Sequence, residues 1–182
     1  MNSNDRTSKS SRVGYAMRTL LIAALISVLP ATSWAADRAL SFAVSGVVAE
    51  IKVQAGASVK KGEILAVLDL TPFQAKKRAA DAAVKAGKTI FDLADLRLTQ
   101  MRELFDALST SAENVELAET AQAKAMIAYE NARAAQTLAA WKLNRATLKA
   151  PFAGTIAAIP GYAGQVVNVN AENAPVAVIN TP

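Results

Sequence analysis

The chain of 182 residues contains no cysteine and no histidine, and only 5% of its residues are aromatic. It therefore has no disulfides, thiol chemistry, cysteine or histidine metal ligands, or histidine general base. Alanine dominates an apolar share of 52%. Because alanine buries little surface, this composition favours closely packed thin helices over a thick core of large side chains. The lack of cysteine and histidine together with this composition argues against an enzyme.

The formal net charge of +5 does not predict a nucleic-acid partner. Residues 1–35 carry four basic groups and one acidic group, so more than half of the excess lies in this short segment. The remainder has no basic stripe interleaved with aromatic residues, which nucleic-acid binding requires. The cluster Lys76-Lys77-Arg78 is interpreted as a solvated helix face.

The first 35 residues have the three-part pattern of a secretory signal. Arg18 precedes the apolar run Leu20–Leu29, and small residues before the end of the segment place cleavage between Ala35 and Ala36. Ten apolar residues span only about 15 Å as a helix, about half of a bilayer core. We expect export to the periplasm, without lipid attachment because no cysteine follows the run. The sequence offers two translation starts, Met1 and Met17, and does not decide between them.

The remaining sequence contains an internal repeat with an offset of 108 residues. The segment 45–51 resembles 153–159, and the same offset carries Gly56 onto Gly164 and Val59 onto Val167. After a three-residue insertion, 64–69 matches 175–180. Both copies are rich in β-branched residues and punctuated by glycine, which predicts short strands. Because neither copy could bury a core alone, we expect the two copies to interlock.

Between the copies, residues 71–146 have the pattern of two long helices. Thr71, Pro72 and Gln74 predict a helix start with Thr71 as the N-cap, and steps of four and three residues then define a heptad seam. The first seam comprises Phe73, Lys77, Ala80, Val84, Gly87, Phe91, Ala94, Leu98, Met101, Phe105 and Leu108. The second comprises Val115, Ala118, Gln122, Ala125, Tyr129, Ala132, Gln136, Ala139 and Leu143.

Ser109-Thr110-Ser111 interrupts the helical pattern, and Thr110 with Glu113 predicts a capping box for the second helix. Two helices of about 35 residues, each on the order of 50 Å long, are therefore expected to form an antiparallel hairpin. Gln122 and Gln136 weaken the pairing if they are buried without partners. They could instead mark a face for neighbouring hairpins or for water.

The two β-rich segments and the helical segment between them resemble a known family. The stretch Ser45-Gly46-Val47-Val48 followed by 56–69 looks like the first half of a biotinyl/lipoyl domain, and 148–156 followed by 164–167 looks like the second half. A lipoyl domain split by a helical hairpin resembles the periplasmic adaptors, the HlyD-like membrane fusion proteins. The resemblance implies an α+β fold, a split biotinyl/lipoyl-like β-sandwich with an inserted long antiparallel coiled-coil α-hairpin. Its lipoyl-fold turns are assigned to Gly46, Gly56, Gly62, Gly154 and Gly164.

The resemblance also implies partners and a docking site. Such adaptors form homo-oligomeric rings, often hexameric, and link an inner-membrane transporter to an outer-membrane channel of the TolC type. Many carry a tip pattern of Arg, three residues, Leu, six residues and Ser. Leu104 and Ser111 have this spacing, but Gln100 occupies the arginine position. The expected docking tip is Gln100, Leu104, Thr110 and Ser111, although hairpin packing and helix capping explain Leu104 and Ser111 equally well.

The expected organisation is a signal peptide (1–35), a first lipoyl-like half (36–70), a helical hairpin (71–146) and a second lipoyl-like half (147–182). The β-barrel and membrane-proximal domains of full adaptors are expected to be absent. The chain is then either a truncated form or a minimal adaptor whose missing parts come from another chain.

Three alternatives remain open. A biotin or lipoyl carrier would need a lysine at the tight turn joining the halves, where this sequence has about 75 residues of helix. A periplasmic coiled-coil scaffold without a transport role shares every structural expectation. A hydrolase would need converging acidic residues, but these are spread along one helix. They are Asp81, Asp92, Asp95, Glu103 and Asp106. No cofactor or metal is expected, and the sequence does not identify the cargo.

Overall fold

The computed structural model describes residues 37–171 and 174–180. Eight short strands flank two long helices. The helices are α1 (Thr71–Asp106) and α2 (Ala112–Arg145). The strands are β1 (Asp37–Leu40), β2 (Gly46–Ile51), β3 (Ser58–Val59), β4 (Ile64–Leu68), β5 (Thr147–Lys149), β6 (Gly154–Ala158), β7 (Val166–Val167) and β8 (Ala177–Asn180). The predicted α+β fold, with a helical hairpin inserted between two β segments, is confirmed.

The strands form two four-stranded antiparallel sheets that exchange strands between the two halves of the sequence, so that each sheet contains two strands from each half. One sheet has the order β1-β8-β6-β3 and the other β5-β4-β2-β7. β3 from the first half pairs with β6, while β7 from the second half pairs with β2. Neither sheet can therefore be completed by one half alone, which confirms that the repeats interlock.

Hydrogen bonds between the halves follow the 108-residue offset. The N–H of Gly56 donates to the carbonyl of Ile156 (2.8 Å), and the N–H of Gly164 donates to that of Val48 (2.7 Å). Gly56 and Gly164 have φ of +83° and +89°, a region that side chains with a Cβ rarely adopt. Matching backbone bonds at matching glycines make the sandwich internally two-fold in its local geometry.

The three remaining glycines assigned to turns occupy two kinds of position. Gly62 lies in a turn with φ of +86°. Gly46 and Gly154 instead begin β2 and β6, where a Cβ on Gly154 would collide with the backbone oxygen of Asn180. At Gly46 a Cβ would lie 3.1 Å from Cδ1 of Leu68. These two glycines therefore allow close packing rather than a turn.

The core lies between the two sheets, and both halves supply it. Equivalent strands of the repeat contribute Val48 and Ile156, each 1% exposed. The other largest fully buried side chains are Phe42, Leu65, Leu68, Val176 and Ile179. Phe73, at the start of α1, also packs into this cluster and connects the hairpin to the sandwich.

The helices pack along the predicted seams. Most half-buried or buried positions of α1 from Phe73 to Met101 belong to the first seam, and those of α2 include the entire second seam. The seam of α1 ends earlier than predicted, because the helix stops at Asp106. Phe105, in the last turn of α1, is 43% exposed, and Leu108, beyond the end of the helix, is 94% exposed.

Polar residues in the seams have partners across the hairpin. Nε2 of Gln136 donates to Oδ1 of Asp81 (2.9 Å), and Nε2 of Gln122 donates to Oδ1 of Asp95 (3.2 Å). These bonds resolve the question that the sequence left open, since neither glutamine is buried without a partner. They also fix which levels of the two helices face each other.

The predicted N-cap of α1 is wrong by one residue. Thr71 is the first helical residue and Leu70 is the N-cap, with no side-chain capping bond. The N–H of Thr71 instead donates to Oδ1 of Asp69 (2.9 Å). The carboxylate of Asp69 therefore satisfies a free N–H at the helix start, a role that the sequence analysis gave to Thr71.

The expected signal peptide and the cleavage site at Ala35 and Ala36 lie outside the described residues. Among the residues that are described, neither helix is long and apolar enough to cross a membrane.

Candidate functional site: the tip of the hairpin

The tip begins where α1 ends in a Schellman motif. The N–H of Ser109 donates to the carbonyl of Leu104 (2.7 Å), and the N–H of Leu108 donates to that of Phe105 (2.9 Å). This pair of bonds satisfies carbonyls that the helix end leaves free. The motif requires a left-handed residue after the helix cap, and that residue is Leu108 (φ +57°).

Leu108 is unfavourable at this position for two separate reasons. A left-handed backbone costs an L-residue with a side chain roughly 1–2 kcal/mol, which is why glycine usually occupies it. Its side chain is also 94% exposed, so no burial offsets this cost. Strain in an exposed position is typical of residues that serve a contact outside their own fold. The sequence analysis missed this feature, because it placed Leu108 in the helical seam.

The start of α2 also differs from the prediction. Ser111 is the N-cap residue, in an extended conformation (φ −94°, ψ 157°), and its side chain makes no capping bond. Thr110 does not cap the helix through a capping box; its Oγ1 accepts a bond from Nδ2 of Asn114 (3.0 Å). The hydroxyl of Ser111, which is exposed, is thus not used for capping within the hairpin.

The remaining predicted tip residues lie on the exposed surface of α1. Leu104 is 42% exposed and Gln100 is exposed as well. Just behind the tip, Nη2 of Arg102 lies 2.8 Å from Oε1 of Glu119 and connects the two helices. The tip is therefore a hydrogen-bonded turn carrying three exposed large apolar side chains, Leu104, Phe105 and Leu108.

Four ion pairs connect charged side chains on the surface of the hairpin, and three of them join residues of one helix. Hydrogen bonds from Lys77 and Gln136 lower the pKa of the Asp81 carboxyl. The bond from Lys88 to Asp92 raises the pKa of that lysine. Exposed pairs of this type contribute little stability each.

In the described part of the chain we searched the titratable groups for a metal site and the surface for a cavity that holds them. Within residues 37–171 and 174–180, no three carboxylates lie close enough together to hold a metal ion. A cavity of about 220 Å³ near the base of the hairpin is lined by apolar side chains and the lysines Lys76 and Lys142. The position where a carrier domain would present its lysine is occupied by the hairpin, between β4 and β5.

An antiparallel hairpin inserted between two interlocked lipoyl-like halves is the architecture of membrane fusion proteins, the adaptors of efflux systems. Residues 40–180 match the family model of the barrel-sandwich hybrid domain of RND membrane fusion proteins. The chain belongs to the RND membrane fusion protein family. Members of this family are non-enzymatic, periplasmic and membrane-associated adaptors of efflux systems. They oligomerise, and they generally partner with an inner-membrane transporter and an outer-membrane channel.

A sequence relative and two solved structures are similar to this chain. The cation efflux system protein CzcB of Alcaligenes sp. (strain CT14) is 31% identical over 133 residues, which are 70% of this chain and 25% of that protein. The chain spans about a quarter to a third of the length of the curated relatives that it matches.

Among solved structures, the membrane fusion protein Spr0693 from Streptococcus pneumoniae R6 has a TM-score of 0.63 at 19% identity, covering 80% of this chain and 61% of that one. A MacA-MexA chimera containing the Pseudomonas aeruginosa MexA α-hairpin domain has a TM-score of 0.58 at 23% identity, covering 80% and 46%. At these identities the two structures support the fold.

Proposed function

We propose that this chain is a periplasmic adaptor subunit of a tripartite efflux or secretion system. In this proposal residues 1–35 direct export and are removed between Ala35 and Ala36. The sandwich supports the hairpin, and the hairpin tip docks on an outer-membrane channel of the TolC type. The inner-membrane transporter is contacted by this chain directly or through another chain, and several copies form a ring.

The observation that carries the docking role is the exposed apolar tip. Leu108 is held in an unfavourable backbone conformation and is almost fully exposed. Leu104 and Ser111 have the spacing of the adaptor tip pattern, and neither is used fully by the fold: Leu104 is 42% exposed and Ser111 makes no capping bond. A tip built only for hairpin stability would favour glycine at position 108 and a bonded cap at position 111.

The docking residues are proposed to be Gln100, Leu104, Leu108, Thr110 and Ser111. Gln100 replaces the arginine that many adaptors carry, so it would accept or donate neutral hydrogen bonds where arginine makes a charge-assisted one. We therefore expect the matching channel to lack a carboxylate at this contact. That difference would select among channels of the same fold.

Site-specific crosslinking tests the proposal, and the absence of native cysteine makes it clean. Ser111→Cys, labelled with a short thiol-reactive photo-crosslinker, should capture an epitope-tagged TolC-type channel from the source organism when the two are co-expressed. Ala82→Cys is the matched control, because it is exposed but lies far down α1 from the tip. Capture from position 111 and none from position 82 supports docking by the tip.

Two results would contradict the proposal. Equal capture from positions 111 and 82 would indicate non-specific contact. No capture from position 111, in cells where export by the assembled pump is demonstrated, would assign the chain to the periplasmic scaffold alternative.

A further inference from the structure

Two lysines at the base of the hairpin line the same cavity. Lys76 of α1 and Lys142 of α2 both border the hollow of about 220 Å³ that lies near the base. Asp81 and Gln136 lie level with each other, because they are joined by a hydrogen bond. The two lysines lie five and six residues from this bond toward the base, so they stand at nearly the same height, one on each helix.

Neither lysine has an acidic partner in the described part of the chain. By contrast, Lys77 and Lys88 each form an ion pair with the aspartate four positions later. No acidic residue lies three or four positions from Lys76 or Lys142, so the helical spacing that forms such pairs is missing. None of the described residues that line the cavity carries a carboxylate. The two positive charges therefore share one cavity without compensation.

The electrostatics of the helix ends account for only one of these lysines. Lys142 lies in the last turn of α2, where the helix dipole favours a cation. Lys76 lies in the second turn of α1, near the helix end that favours a negative charge instead. The position of Lys76 is therefore not explained by the helix that carries it.

The base of the hairpin is positively charged as a whole. Residues 71–88 of α1 and 129–145 of α2 contain eight basic and two acidic residues, a net charge of +6. The other half of the hairpin, residues 89–106 and 112–128, contains three basic and seven acidic residues, a net charge of −4. A concave site within a region of one charge sign attracts a ligand of the opposite sign. The expected ligand of the cavity is therefore an anion.

The rest of the cavity lining is apolar and consists of Phe73, Ala80, Ala135, Leu138 and Ala139. Lysine stems can cover apolar surface, but this groove remains open, with Leu138 51% exposed. Along α1 the lining extends from Phe73 to Ala80, a length of about 10 Å. Because an apolar cavity of about 150 Å³ can hold benzene, this one is large enough for a short alkyl chain.

We propose that this cavity binds a small anionic amphiphile, a short single alkyl chain that ends in a carboxylate or a phosphate monoester. The anionic head accepts charge-assisted hydrogen bonds from the ammonium groups of Lys76 and Lys142. The alkyl chain lies on the apolar floor, where its burial supplies the rest of the affinity. A carboxylate and a phosphate offer the same chemistry to two lysines, so the two heads are separate arms of the test.

The position of Phe73 connects the cavity with the stability of the chain. Phe73 lines the cavity and also belongs to the core cluster of the sandwich. A ligand in the cavity therefore contacts the side chain that connects the hairpin to the sandwich. Because a ligand that binds only the folded chain stabilises it, octanoate should raise the thermal midpoint of the helical signal.

Isothermal titration calorimetry of the purified chain with octanoate and with octyl phosphate, each below its micelle-forming concentration, tests the proposal. Both anions should bind, and Lys76→Gln/Lys142→Gln should weaken their binding roughly ten-fold. The matched control is Lys85→Gln/Lys124→Gln, which removes two positive charges from exposed positions of the hairpin outside the cavity. Its affinity should stay within about two-fold of the unmodified chain, because exposed charges at a distance are screened by salt. Tighter binding of one anion identifies the preferred head.

A second pair of variants tests the apolar floor. Ala135 is exposed and lines the cavity, whereas Ala134 is exposed and does not line it. Ala135→Phe should fill part of the cavity and weaken octanoate binding about five-fold or more, because the alkyl chain loses its contact area. Ala134→Phe should leave the affinity unchanged. The helical circular dichroism signal should be unaltered in both variants.

Two further ligands separate the head from the chain. The uncharged 1-octanol should bind roughly ten-fold more weakly than octanoate, since it lacks the charge-assisted bonds. Inorganic phosphate, which lacks the alkyl chain, should show no measurable binding.

Three results would overturn the inference. They are no measurable binding of either anion to the unmodified chain, an equal loss of affinity from the two lysine pairs, and binding of 1-octanol as tight as that of octanoate. The experiment needs neither the tip nor a channel. Its failure would therefore leave the adaptor proposal standing, and failed capture from position 111 would leave this site standing.

Discussion

The sandwich and the hairpin bury their side chains to very different degrees. The sandwich core is a cluster of sixteen buried residues, of which only Phe73 belongs to a helix, and Leu65, Leu68 and Ile179 in it are 0% exposed. The two helices have more than twice as many residues as the eight strands, yet α1 buries only Phe73 and Leu98, and α2 only Ala118 and Ala125. The sandwich is therefore completed by its own chain, whereas the hairpin keeps most of its apolar side chains on the surface.

The comparison explains why an adaptor combines the two parts. A hairpin with a thin internal seam leaves its outer surface and its tip exposed, and it gains little stability from its own packing. The sandwich anchors its base, through Phe73 and Ala146 in the core. The sandwich thus supplies most of the buried core and the hairpin most of the exposed apolar surface. Substitutions in the two regions should therefore change the stability of the chain to different extents.

The largest expected effect is in the sandwich core. Leu65→Ala should lower the free energy of unfolding by about 3–5 kcal/mol, because a fully enclosed site cannot collapse around the cavity. Leu98→Ala, in the hairpin seam, should lower the free energy of unfolding by about 1–2 kcal/mol. This loss lies at or below the usual lower limit for leucine-to-alanine substitutions in protein cores, because the surroundings of Leu98 are partly open. Urea unfolding followed by circular dichroism measures both. Ile90→Ala, at a side chain 60% exposed, is the control and should change stability by less than about 0.5 kcal/mol. Equal losses at positions 65 and 98 would show that the comparison is wrong.

A smaller effect of opposite sign is expected at the tip. Leu108→Gly should raise the stability of the hairpin by about 1 kcal/mol, because glycine adopts the left-handed conformation without the steric cost. The thermal midpoint of the helical signal measures this. Leu108→Ala is the matched control: it also removes the apolar side chain but keeps the Cβ, so no gain is expected. A gain in the alanine variant would indicate that side-chain exposure, not backbone strain, is the cause.

The smallest effect concerns the polar bonds of the hairpin. The pKa of Asp81 is lowered in the folded chain by Lys77 and Gln136. Its contribution to stability is therefore complete above the ordinary pKa of 3.8 and is lost as the pH falls through the lower folded value. Helicity should remain constant from pH 7 to about pH 5 and decline below about pH 4. Asp81→Asn should make this decline shallower, while a decline that begins near pH 6 would point to another group.

Most of the fold could be predicted from the sequence because its signals are periodic. The repeat with its offset of 108 residues predicted the equivalent strands. The steps of four and three residues predicted the positions of the first and second seams, such as Leu98 and Tyr129. Both signals extend over many residues, so a single exception such as Lys77 or Gly87 does not hide them. Gly87 even contributes to the seam, since a Cβ there would lie 3.3 Å from Cα of Tyr129.

The ends of the helices were less predictable because each depends on one or two bonds. Thr71 and Thr110 are of a residue type that often caps helices. In the structure, however, Asp69 accepts the N–H bond at the start of α1, and Ser111 is the N-cap residue of α2. At Leu108 the sequence carries no signal, since leucine is neither a usual turn residue nor a usual left-handed one. The tip is where local preference and structure disagree, and such disagreement is expected at sites that serve a partner.

The strand exchange between the two halves has a consequence for how the chain folds. β4 pairs with β5, so Val67 and Thr147 must meet across the whole helical segment. Closing a flexible loop of about 75 residues costs roughly 4 kcal/mol of chain entropy, but a loop of a few residues costs only about 1 kcal/mol. The hairpin contains local contacts and can form early. Once it has formed, it brings Thr71 and Arg145 to the same end, so the sandwich then closes as if the two halves were joined by a short link. The hairpin would thus also act as the folding guide of the domain that carries it.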